Sequence, residues 1–200
     1  MFGGDEKVTR ALYAVQVVVR EHAMPDFRRK MHDAIAGHIG STGSPSPAER
    51  QLTYKKLSLL LTKASPFIDY GFWEYETREK KAVEGFHEWL QDLETGMEAW
   101  GDTVEDEYDA ERVVLEKTYV CVTMVFLTRF PIPIADEYDE EDDASWRRGT
   151  FKELVAAIGQ FDFNHVEAEA AFVMPGTDED ALNELDLADE DWEHLVTLTG

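Results

Sequence analysis

Three side chains late in the chain have a spacing that acid–base chemistry can use. His165, Glu167 and Glu169 alternate with Val166, Ala168 and Ala170 in the stretch HVEAEAAFVM. On a β-strand, residues two apart project from the same face, roughly 7 Å from one another. Two carboxylates at that separation could serve as general acid and general base, with the imidazole beside them as a proton carrier. Carboxylates on a strand more often simply face water, so catalysis here requires a concave, sheltered face.

A second group has side-chain oxygens that could bind calcium. Asp136, Asp139, Glu141 and Asp143 belong to a run with seven acids in eight residues, 136–143. An EF-hand calcium loop needs glycine at its sixth position and a bidentate glutamate at its twelfth. Counted from Asp136 these positions are Glu141 and Arg147; from Asp139 they are Ala144 and Thr150. Neither register fits, and mutual repulsion favours a solvated loop. Glu84 and His87 have the i, i+3 spacing of a di-metal helix pair, without the second pair that such a site requires. His22, His32 and His38 share no helical turn, and HExxH is absent. No metal or other cofactor is expected.

Nucleophiles and phosphate loops are missing as patterns. There is no GxSxG, and GSTGSPSP lacks the GK[ST] ending. The single cysteine, Cys121, lies mid-strand and reads as an inert buried thiol. The aromatic segment around Phe72, Trp73 and Tyr75 offers an interaction surface instead, although helix–sheet packing uses the same residue types.

These residues need a scaffold, and the stretch that organises it is Tyr119–Thr128, YVCVTMVFLT. It is uncharged, β-branched and aromatic, which predicts a strand covered on both sides. VTRALYAVQVVVR fits both periods, but its closing valines favour a strand. Helices are expected over 26–39, over Pro47–Ala64 with Leu52, Leu59 and Leu60 on one side, and over 77–101. The last places Ala82, Phe86, Trp89, Leu93, Met97 and Trp100 on one face. A further helix is expected near 103–117, and the aromatic stretch 67–76 reads as a packed connection. Thr150 and Glu153 have capping-box spacing, with Gly159 as the stop. The strand at 165–174 then completes a strand–helix–strand unit, expected to be a parallel, right-handed crossover. A short helix is expected near 189–194.

Composition bounds the rest. Two hundred residues make one domain. A formal net charge of -23 disfavours nucleic acid and anionic membrane as partners. No signal-peptide pattern and no apolar window of membrane length is seen, so the expected setting is cytoplasmic.

In its second half the chain resembles the uncharacterised domain-of-unknown-function family 1517, known from cyanobacterial and chloroplast proteins. The residues that carry the likeness are Tyr119 to Met124, Phe151 to Ile158, and Val166-Glu167-Ala168-Glu169 running to Met174-Pro175-Gly176. Val15 to Val19, Phe72 to Tyr75 and Glu111-Arg112 are compatible with it. The likeness spans about three quarters of the chain, and its motifs are fold-type residues. Photosynthetic members carry membrane and low-complexity segments ahead of the domain, and neither is present in this sequence. The resemblance implies an architecture and no enzyme activity.

The expected fold is α+β: a small three-stranded sheet, with room for a fourth edge strand, covered by helices. A helical insertion, about 25–117, separates the first two strands, and the strand–helix–strand unit covers about 119–174. The expected function is a non-catalytic protein-interaction or regulatory domain with an unidentified protein partner or self-association. The alternative is a small-molecule or metal-dependent enzyme working at His165, Glu167 and Glu169.

Overall fold

A computed structural model describes residues 10–39, 44–102, 119–139, 141–176 and 182–200, with side chains described except at 37–39 and 96–102. The helix expected near 103–117, the residues Glu111 and Arg112, the start of the 40–47 linker, and the side chains of His38, Met97 and Trp100 lie outside the described residues.

The valine-rich run folds as strand β1 (Ala11–Arg20), and the uncharged run as β3 (Tyr119–Thr128). They pair antiparallel along their whole length, from Ala11 opposite Thr128 to Arg20 opposite Tyr119. Every residue of β3 is buried, as an uncharged strand without a wet face should be. Among the described residues the sheet has five strands in the order β4-β3-β1-β2-β5, with β2 at Ile68–Glu76, β4 at Val166–Met174 and β5 at Val196–Thr197. All pairings are antiparallel.

This enlarges the expected three- or four-stranded sheet and corrects two details. The aromatic stretch 67–76 is not a connection between helices. It forms β2, whose Trp73 and Tyr75 face one layer while Phe72 and Glu74 face the other. The unit from β3 to β4 is not a parallel crossover either. The Arg129 amide donates to the His165 carbonyl at 2.8 Å, which returns the chain to the end of the sheet that it left. Thr128 therefore meets Val166, and the strands run in opposite directions.

Helices cover both faces. Tyr13, Val15, Val17 and Val19 point to the layer formed by α1 (Phe27–Ile39), α2 (Pro47–Ala64) and α4 (Arg148–Ile158). Ser46 and Glu49 form a reciprocal capping box at the start of α2. The side of α2 that packs is Tyr54, Leu57 and Leu61, whereas Leu52 and Leu59 are exposed, contrary to expectation. The capping box expected at Thr150 does not form. Helix α4 begins two residues earlier, Thr150 Oγ1 donates to the Ala144 carbonyl at 2.9 Å, and Glu153 accepts from the Tyr138 hydroxyl.

The opposite face carries two separate apolar clusters. Leu12, Ala14, Val125 and Leu127 pack under α3 (Glu79–Asp102). Val18, Tyr119, Cys121 and Met174 pack under the C-terminal segment through Leu182 and Trp192. Among the described residues, no helix is long and apolar enough to cross a membrane.

Candidate binding cleft

The residues expected to do chemistry on β4 are each held by a partner. Glu167 accepts from Arg10 Nε at 2.7 Å and pairs with Arg129. Glu169 accepts from Arg50 Nε at 2.5 Å, and Arg50 also lies over the Phe163 ring, 5.4 Å from its centroid. His165 is exposed, with Nδ1 3.0 Å from Asp162 Oδ2. The three side chains therefore form no joint site. Burial pushes the Glu167 carboxyl upward, but the hydrogen bonds and charges of Arg129 and Arg10 outweigh it and hold the group below the usual 4.5. A carboxyl depressed by folding stabilises above its unfolded pKa, and that contribution disappears as pH falls through the folded value. Glu167→Gln is therefore expected to lower stability at pH 7 by about 1 kcal/mol or less. The difference from the parent should close on acidification below about pH 4.5; urea titrations in which the gap widens in acid would contradict this.

The acidic run is used locally. Asp139 Oδ1 accepts from the Glu141 amide at 3.0 Å and Asp142 Oδ1 from the Ala144 amide at 2.9 Å. Asp136 and Asp143 sit in adjacent short 3-10 turns, and Glu140 lies outside the described residues. Among the described residues, no group of three or more His, Cys, Asp or Glu is placed to hold a metal ion. His87 and Glu84 are exposed on α3, where Glu84 pairs with Lys80 at 3.3 Å. Of the aromatic trio, Trp73 is buried in the core and Tyr75 is half-buried, its hydroxyl oxygen accepting from the Ile132 amide at 2.9 Å. Only Phe72 turns to the opposite face.

That face contains the arrangement that spacing alone did not reveal. Register places Phe72, Gln16, Thr123 and Phe172 in one row across four strands. Gln16 and Thr123 are buried, each no more than 3% exposed, between the two apolar clusters. Gln16 Nε2 donates to Thr123 Oγ1 at 2.9 Å. Gln16 Oε1 lies 2.5 Å from His194 Nε2. An amide oxygen only accepts, so His194 carries its proton on Nε2 and donates. Partial desolvation lowers the His194 pKa, opposed by the nearby Asp92 carboxylate.

Above this polar row, α3 and the C-terminal segment part to leave a cleft of about 720 Å³. Gly85 brings α3 down on the sheet: a Cβ there would lie 2.8 Å from Leu12 Cδ2. Trp89 Nε1 donates to Glu74 Oε2 at 2.8 Å, which fixes the indole against the floor. Phe72, Trp89 and His194 make a corner of rings. The His194 plane stands at 89° to Phe72 and 90° to Trp89, with centroids 5.4 and 6.4 Å away. Leu93, Met174 and Trp192 supply apolar wall. Cys121 lies beneath, 4.0 Å from Thr123 Oγ1, and burial pushes its thiol up to about 12. It is not a nucleophile at neutral pH.

No family model, curated protein or solved structure matches the chain.

Proposed function

We propose that the chain is a non-catalytic binding or regulatory domain whose recognition site is the cleft between α3 and the C-terminal segment. The observation that carries this reading is the cleft's construction: a concave space with an aromatic and apolar wall on one side, carboxylates around it, and a floor where Gln16 and His194 are bonded to each other. Such pockets bind by shape and by a few fixed polar contacts. His194 lacks an adjacent nucleophile among the described residues, and its donor is engaged by Gln16. The arginine pairs at Glu167 and Glu169 weigh against the enzyme alternative on β4. Phe72 joins the expected interaction surface to the cleft, while Trp73 and Tyr75 support it from the core. A cytoplasmic setting and an architecture like that of family 1517 belong to the same proposal.

The test is a fragment screen followed by NMR at the indole N–H signals of Trp89 and Trp192. Ligands are expected to shift both, and to lose about tenfold or more in affinity in a Thr95→Trp variant. Thr95 is an exposed residue on the cleft wall, so the larger ring plugs the space without disturbing the floor. Ligands that bind the plugged variant as tightly as the parent would place recognition elsewhere.

A further inference from the structure

The charge and ring content of the cleft name a ligand class, an inference that rests on the binding reading above. Four carboxylates line it: Glu74 from β2, Glu88 and Asp92 from α3, and Asp191 from the C-terminal segment. No lysine or arginine is among the described lining residues. Three separate elements thus deliver one sign of charge to one concavity, and the field within it favours cations and repels anions. The chain's net charge of -23 extends that field outward and speeds the approach of a cation.

A bare metal ion does not suit the site. Among the described residues, no three potential ligands converge on one point, and a hydrated ion gains nothing from the aromatic corner. An organic cation does. Trp146 stacks on one side of Phe72 at a centroid distance of 6.2 Å, and the ring surface that Phe72 and Trp89 present to the cleft attracts an ammonium or guanidinium group by its quadrupole, an attraction that partial desolvation strengthens. Leu93, Met174 and Trp192 then receive an apolar chain attached to the charge, and about 720 Å³ accommodates both parts. We infer that the cleft binds a small organic cation, an alkylammonium or alkylguanidinium, with the charged head in the corner of Phe72, Trp89 and His194 and the tail along the apolar wall.

Isothermal titration of the full chain with hexylammonium, hexylguanidinium, hexanol and hexanoate tests the inference. Both cations are expected to bind at least about tenfold more tightly than hexanol, with hexanoate weakest. The preference should shrink in an Asp92→Asn/Asp191→Asn double variant, whose changes are at exposed positions, and cation binding should be lost in Thr95→Trp. A short lysine peptide that outcompetes hexylammonium would support the cation class and identify its source as a protein side chain. Hexanol or hexanoate binding as tightly as the cations would overturn the cation class and leave the binding reading standing. Failure of all four probes up to about 10 mM would overturn the cation class and leave the binding reading to the fragment screen, whereas cation binding untouched by Thr95→Trp would overturn both.

Discussion

A Phe126→Ala variant is expected to lose about 3–5 kcal/mol of stability. Phe126 is fully buried on β3 and is the hub of an aromatic cluster. Tyr54 of α2 meets it edge-on at 5.0 Å, Phe161 edge-on at 5.1 Å and Phe163 at 6.3 Å, with Tyr13 of β1 at 6.5 Å. Its neighbours therefore come from a strand, a helix and the segment that leads into β4, and they cannot all close on an empty site. The cost has two parts: the apolar surface no longer removed from water, and the cavity that remains. Folded domains are stable by only about 5–15 kcal/mol, so the loss is a large share of the total. Urea denaturation at constant m-value measures it. A loss below about 1 kcal/mol would show that the cluster repacks freely and is not the hub of this layer.

The second large effect is expected from adding a single methyl group. A Cβ at Gly71 of β2 would lie 2.4 Å from Phe151 Cε1 and 2.8 Å from its Cζ. Phe151 is itself fully buried between Gly71 and the rest of its layer, with Trp146 at a centroid distance of 6.2 Å. The ring occupies the space that any other residue at 71 would claim. Gly71→Ala is therefore expected to cost about 1–3 kcal/mol through overpacking, although alanine is ordinarily the better strand residue. Combining it with Phe151→Leu shortens the intruding ring, and the double variant should be more stable than additivity of the two single losses allows. Strict additivity in this cycle would refute the steric account. Gly71 also pairs with Val196 of β5, so the same variant reports on how firmly the short edge strand is held.

Local periodicity revealed much of this architecture, and its failures have physical causes. An uncharged β-branched run announces a strand buried on both faces, and Tyr119–Thr128 is one. The strand β2 was hidden because Phe72 and Trp73 are adjacent and face opposite layers that both accept aromatics. A period of two in hydrophobicity then has nothing to alternate with. Glu167 and Glu169 looked available because their partners are remote in sequence: Arg10 is 157 residues from Glu167, and Arg50 is 119 from Glu169. The cleft was less visible still, since Gln16 and His194 are 178 residues apart. One signal did lie in the sequence. Gln16 is the lone amide within AVQVVV, and such a group in a doubly covered strand must find partners or leave a costly unsatisfied dipole. Thr123 in CVTMV poses the same question, and register answers both together.

The placement of β1 also bears on how the chain is made. It is the first of the described strands in sequence and the middle strand of the finished sheet, between β3 and β2. On a ribosome it emerges long before either neighbour. Between Arg20 and Thr128 lie the residues that must be synthesised before its second edge is fully paired, which takes roughly 5–20 s at ordinary elongation rates. During that interval a strand of valines exposes a hydrogen-bonding edge, the kind of segment that pairs with other nascent chains. Helices α1 and α2 form from local contacts and emerge next, so they can shelter one face of β1 early. Its edge toward β3 has no native cover until β3 arrives. Efficient production of the chain therefore depends on keeping that edge apart from its copies, by rapid elongation or by a chaperone, until the third strand docks.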